Sequence, residues 1–173
     1  MTDFLLSQIF VGIAICFDIT SFQFKDRRKI IMCFFFASIF IGLHFLLLEQ
    51  YTAASLAVVA ALRFVSSIFT SSKKLMSVFL IACAVVTFFT YAGILSIFSY
   101  LGASINTIAS FCKKDEHLRL IMMIGTLFWI VNNYFANSPA AVFMESLFLC
   151  SNIIGYYRHY IKPKRVLAKV SNK

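Results

Sequence analysis

Several polar and ionisable side chains fall inside the long apolar segments of this chain. An ionisable group at the centre of a bilayer costs roughly 2.5–3.5 kcal/mol on insertion scales, so such residues usually face the interior of a helix bundle. They are therefore the first candidates for a binding site or for a structural pair. The residues concerned are Asp18, His44, Arg63, Asn106, Asn132, Asn133, Glu145 and Asn152.

Arg63 and Glu145 are the most informative of these residues. At helical rise, Arg63 lies roughly 16 Å from the outer end of its segment, and its depth differs from that of Glu145 by roughly 9 Å. A long arginine side chain and a glutamate can close that gap between them. Two interpretations stay open: a buried ion pair that serves folding, or a site in which Arg63 attracts a solute and Glu145 is its counter-ion or a proton carrier.

The remaining candidates have weaker signals. His44 and Asn133 fall at matching positions near the outer ends of two segments, where they could exchange hydrogen bonds at the entrance to a cavity. Packing explains a lone histidine equally well, and asparagines such as Asn106 commonly bond across helices. Asp18 lies within a turn of the inner end of its segment and close to Lys25, so a surface ion pair is expected there.

The elements that must position these residues are membrane-spanning helices. The chain of 173 residues is 61% hydrophobic and only 13% charged, which leaves too little polar surface for a soluble domain. A span needs roughly 20 apolar residues. If the fourth and fifth segments formed one helix, that helix would be longer than any bilayer is thick. We therefore predict two helices with a turn at Ala92-Gly93. The predicted spans are 4–22, 30–48, 52–71, 75–91, 94–111, 118–136 and 140–157.

The basic residues predict the orientation of these spans. All of the 16 lysines and arginines except Arg63 fall in alternate connections or in the tail, namely after spans one, three, five and seven. Cytoplasmic loops carry an excess of Lys and Arg. We therefore expect seven crossings of a bacterial inner membrane, with a periplasmic N-terminus and a cytoplasmic C-terminus.

The two ends of the chain also resemble each other at a separation of about 90 residues, which predicts a parallel 3+1+3 repeat. A single linker helix is needed to bring a second triplet into the membrane in the same orientation as the first. The matches are Gly12 with Gly102, 21–26 with 110–115, 30–32 with 120–122, 43–45 with 132–134, and 53–54 with 140–141. The predicted units are a first repeat at 1–71, a linker helix at 72–93, a second repeat at 94–157 and a basic tail at 158–173.

Over nearly its whole length the sequence resembles the YgjV family of bacterial inner membrane proteins. This resemblance implies a multi-pass inner membrane protein. Topology and repeat alone give a more distant similarity to the SWEET and PQ-loop transporters. The segments that carry the first resemblance are 42–48 (GLHFLLL), 61–63 (ALR), 129–134 (WIVNNY) and 144–149 (MESLFL).

These features favour a small transporter-like protein, of all-α transmembrane class, that moves or binds a small polar or anionic solute. The alternative is a non-transporting scaffold or accessory subunit whose intramembrane charges serve folding. No nucleotide-binding, metalloprotease or hydrolase motif occurs, so no enzyme, metal site or cofactor is expected. The charges form no basic face for nucleic acid, whereas the basic tail suits contact with anionic lipid. The sequence leaves open whether two chains assemble around a shared cavity.

Overall fold

The computed structural model describes residues 3–21, 27–70, 72–112 and 114–162, and within them every regular element is helical. The predicted seven helices are confirmed, including the break between the fourth and the fifth. A π-helical turn at Tyr157–Ile161 continues the last helix. The helices are α1 Asp3–Ser21, α2 Arg27–Leu47, α3 Tyr51–Phe69, α4 Lys73–Phe89, α5 Ile94–Ser110, α6 Asp115–Phe135 and α7 Pro139–Tyr156.

The outside of the bundle is strongly apolar. Phe69, Phe88 and Phe89 each expose 79% of their surface, together with many other large apolar side chains. Four helices, α1, α3, α6 and α7, are long and apolar enough to cross a membrane. Shorter apolar helices occupy residues 31–47 and 94–110 within α2 and α5. An apolar exterior of this extent suits a protein surrounded by lipid.

The turns between α2 and α3 and between α6 and α7 have the same backbone geometry. Each contains a non-glycine residue with positive φ, Glu49 at 57° and Asn137 at 53°. The residue that follows donates its N–H to a carbonyl five positions back, at 2.9 Å in the first turn and 3.0 Å in the second. This is the Schellman arrangement, which satisfies the free carbonyls at the end of a helix.

The helices pack as two groups of three, and α4 lies beside them. In the first group α2 packs against both α1 and α3, and in the second α6 packs against both α5 and α7. The groups meet where α3 contacts α5 and where α7 contacts α1, whereas the contacts of α4 are with α3 and α5. Six helices therefore surround a common interior.

Glycines allow α5 and α6 to approach closely within that ring. A Cβ atom added at Gly102 would lie 2.8 Å from Nε1 of Trp129, and one added at Gly125 would overlap the Asn106 side chain. The close approach brings Trp129 and Asn106 to the interior of the bundle. By contrast, a Cβ atom at Gly12, in α1, would meet nothing within 4 Å.

Candidate functional site

A cavity of about 150 Å³ lies inside the ring of six helices. Residues of α1, α2, α3, α5, α6 and α7 line it, and α4 contributes none. An engineered cavity of about this volume holds benzene, so the space suits a solute of roughly six heavy atoms. Most of the lining is apolar. The polar and ionisable side chains on its wall are Asp18, Ser38, Arg63, Asn106, Thr126, Asn133 and Glu145.

Arg63 is held against α5, and only part of its guanidinium is paired. Its Nη1 donates to the Thr107 hydroxyl at 2.8 Å and reaches the Ala103 carbonyl at 3.5 Å. The guanidinium carbon lies 4.8 Å from the centre of the Phe64 ring. The residue is only 4% exposed, and its Nε has no partner among the described residues. A buried permanent charge with unused donors on a cavity wall can bind an anionic group.

The ion pair between Arg63 and Glu145 that the sequence suggested does not form within the described part of the chain. Both side chains line the cavity, yet Arg63 hydrogen-bonds to α5 instead. The second carboxyl group on the cavity wall is that of Asp18. The cavity thus has one basic group and, elsewhere on its wall, two carboxyl groups.

Asp18 lies on the cavity wall, a position that the sequence prediction of a surface ion pair did not include. Asp18 lines the cavity, whereas Lys25, its predicted partner, lies outside the described residues. The spacing of Ser7, Val11 and Ala14, all fully buried, carries the inward face of α1 on to residue 18. Helical periodicity could therefore have placed Asp18 in the interior. Nearness to the end of the segment suggested the surface instead.

Further polar atoms on the cavity wall are buried without a hydrogen-bond partner among the described residues. They are Oδ1 of Asn106, Oγ1 of Thr126 and Oδ1 of Asn133. Thr126 and Asn133 are each only 1% exposed. Asn106 and Asn133 are sequence-predicted candidates, but Thr126 is not, because a threonine carries little cost in a helix and gives no signal. An unpaired buried polar group costs about 1–3 kcal/mol, and a ligand that pairs it recovers that cost.

His44 does not line the cavity, and neither do the candidates Asn132 and Asn152. His44 is fully buried, with Nδ1 3.1 Å from the Ser7 carbonyl and Nε2 3.2 Å from the Ser138 hydroxyl. Because a carbonyl can only accept, Nδ1 carries the proton. His44 thereby connects α2 to α1 and to the start of α7, as its packing interpretation expects.

Asn132 occupies the corresponding place in the other group of helices. Its Oδ1 accepts from the Ser99 hydroxyl at 3.0 Å, and its Nδ2 donates to the Gln50 side chain at 3.3 Å. Asn132 thus connects α6 to α5 and to the start of α3. Counted back from the positive-φ residue of each turn, His44 and Asn132 hold the same position. The sequence comparison instead matched His44 with Asn133, one residue later.

Comparison with known proteins identifies the family. A profile of bacterial inner membrane proteins, Imp-YgjV, matches residues 5–162. The chain belongs to the YgjV family. It is 28% identical over 165 residues to the inner membrane protein YgjV of Escherichia coli strain K12, a match that covers 95% of this chain and 90% of that protein. No solved structure matches it. The chain is accordingly a multi-pass protein of the bacterial inner membrane.

The segments through which the sequence resembles the YgjV family all contribute to the cavity wall. Phe45 comes from 42–48, Arg63 from 61–63, Trp129 and Asn133 from 129–134, and Glu145 from 144–149. Phe45 also stacks on Trp129, with ring centres 5.6 Å apart. Each segment that carries the family resemblance therefore contributes at least one residue to the cavity wall.

Proposed function

We propose that this protein binds a small polar or anionic solute at Arg63 in the central cavity and carries it across the inner membrane. One observation carries the proposal. A permanent positive charge, 4% exposed and only partly hydrogen-bonded, lies on the wall of a cavity beside other unpaired polar atoms. Intramembrane charges usually mark such pathways.

The proposal includes seven crossings, a periplasmic N-terminus and a parallel 3+1+3 repeat, with units at 1–71, 72–93 and 94–157 and a basic tail at 158–173. Three features support it: the basic residues alternate between connections, the two Schellman turns have equivalent geometry, and α4 contributes nothing to the cavity wall. In parallel-repeat transporters the binding site lies at the interface of the repeats, near the middle of the membrane. The cavity lies between the two groups of helices, which is where this proposal expects the binding site.

Binding inside this cavity has a convenient reporter. Trp129 is the single tryptophan of the chain and lines the cavity wall. A bound solute changes the polarity around its indole, so titration of intrinsic fluorescence reads out the site itself. No enzyme activity and no cofactor are part of the proposal, and the membrane lipids around the bundle are its expected partners.

The test is the thermal stability of the purified protein in detergent, together with Trp129 fluorescence, against sugars, amino acids, carboxylates and nucleosides. A solute at about 100 times its dissociation constant adds roughly 2.7 kcal/mol of stability. We expect one class of small solute to stabilise the protein, and the folded Arg63→Met variant to lose that response. Arg158→Met is the matched control, because Arg158 is exposed and lies in the π-helical turn after α7.

A flat response across the panel, with Arg63→Met as stable as the native protein, would refute solute binding. It would favour the alternative, a scaffold or accessory subunit whose intramembrane charges serve folding. Uptake into vesicles that contain the protein then distinguishes a transporter from a protein that only binds.

A further inference from the structure

The cavity wall carries one guanidinium group and two carboxyl groups, which come from different helices and form no ion pair with each other. Arg63 projects from α3 and is paired to α5, whereas Asp18 and Glu145 come from α1 and α7. Within the described chain neither carboxyl group forms an ion pair with a basic side chain. An intramembrane charge of either sign is costly without a partner.

We propose that the solute is a small zwitterion, with its acidic group at Arg63 and its cationic group at Asp18 and Glu145. This inference rests on the proposed binding function and specifies the class of solute. A solute that is only anionic would pair Arg63 but would leave both carboxyl groups without a partner. A solute with both charges pairs the two ends of the site at once.

The relative depth of the two carboxyl groups lets them share one cation. Gln8 in α1 bonds to the backbone N–H of Ala140 at the start of α7, so these two residues lie at the same level. By helical rise, Asp18 then lies roughly 15 Å and Glu145 roughly 8 Å below that level. The remaining difference of about 7 Å is within the reach of two side chains that converge on a single ammonium group.

Neutral polar groups on the same wall strengthen the assignment. Thr126 and Asn133, each 1% exposed, present Oγ1 and Oδ1 without a partner among the described residues. Both oxygens can accept a hydrogen bond from an N–H donor, and Arg63 Nε can donate one to an acid oxygen. Unpaired acceptors and an unpaired donor therefore belong to residues of the same cavity wall.

The volume of the cavity limits the size of the zwitterion. About 150 Å³ corresponds to roughly six heavy atoms by comparison with the benzene-binding cavity. A short amino acid such as alanine, which has six heavy atoms, meets this limit. We therefore expect short amino acids or similarly small zwitterions as ligands.

The test uses solutes of similar size that differ in charge: alanine as zwitterion, lactate as anion, ethanolamine as cation and glycerol as neutral solute. Each is titrated into the purified full-length protein while Trp129 fluorescence and thermal stability are recorded. We expect alanine to bind and the other three to bind at least tenfold more weakly. Asp18→Asn and Glu145→Gln should weaken alanine binding at least tenfold. Asp3→Asn and Glu49→Gln should leave it unchanged, because both control residues are exposed and neither lines the cavity.

The outcomes separate the two proposals. If lactate binds as tightly as alanine and Arg63→Met abolishes both, the anion site stands and the zwitterion inference is overturned. Equal binding of alanine by Glu145→Gln, Asp18→Asn and the native protein also overturns it. If no solute binds in this panel or in the wider one, the proposed binding function itself fails.

Discussion

The contact between Arg63 and Thr107 gives the sharpest prediction about how the intramembrane charge is held. Replacing Thr107 by valine keeps the shape of the side chain but removes the oxygen that lies 2.8 Å from Nη1. The other acceptor for Nη1, the Ala103 carbonyl, is 3.5 Å away and compensates poorly. We therefore expect Thr107→Val to destabilise the native protein.

The expected size of this destabilisation follows from the positive charge of Arg63. A hydrogen bond to an ionised group contributes about 1.5–3 kcal/mol, whereas neutral pairs within membranes average about 0.6 kcal/mol. In an Arg63→Met background the charge is absent, and Thr107→Val then removes only neutral hydrogen bonds, such as the one from the hydroxyl to the Ala103 carbonyl of its own helix. We expect a cost of about 2 kcal/mol in the native background and close to none in the Arg63→Met background, and so a coupling of about 2 kcal/mol.

The measurement is a double-mutant cycle of unfolding free energy in mixed micelles, with the fraction of sodium dodecyl sulfate as denaturant. Ser110→Ala is the matched control, because its hydroxyl also bonds to a carbonyl of α5 but does not contact Arg63. An equal cost of Thr107→Val in the two backgrounds would refute the reasoning. It would mean that this threonine stabilises α5 without holding the charge.

Two further predictions concern packing and topology. Gly102→Ala should destabilise the protein by about 1–3 kcal/mol in the same unfolding assay, because the new methyl group would meet the Trp129 indole. Gly12→Ala, at the matching position of α1, should be neutral or slightly stabilising, since open space surrounds that site; equal effects of the two substitutions would contradict the packing argument. A fluorescent protein fused after the C-terminus should fold and fluoresce in cells, while alkaline phosphatase fused there should be inactive. The reverse pattern would overturn the orientation predicted from the basic residues.

The ends of the helices could be predicted to within three residues, because the signal for each helix is a long and predominantly apolar run. The break at Gly93 is an example. The length of the apolar stretch required a turn there. Gly93 has a φ of 104°, a backbone angle that residues other than glycine rarely adopt. The length of an apolar run is a local property of the chain, so it can be read directly from a single sequence.

The site could be predicted only in part. Arg63, Asn106, Asn133 and Glu145 were identifiable from their cost in lipid, and all four line the cavity. That cost carries no information about partners, which depend on how the helices rotate and tilt against each other. For this reason the hydrogen bond from Arg63 to α5, the inward position of Asp18 and the exclusion of His44 from the cavity required the three-dimensional arrangement.

The hydrogen-bonding of the buried polar groups itself distinguishes folding from function in this bundle. Where α2 and α6 end, His44 and Asn132 use their polar atoms in bonds between helices, as groups that serve assembly should. On the cavity wall the situation is the opposite. Most of the buried side-chain atoms without a partner among the described residues are found there, on Arg63, Asn106, Thr126 and Asn133. Polarity that served folding alone would be paired, as it is at the helix ends, because each unpaired group lowers stability. The unpaired groups of the cavity are those that the ligand we propose would complete, whereas two others, on Thr87 and Ser104, lie away from the cavity wall.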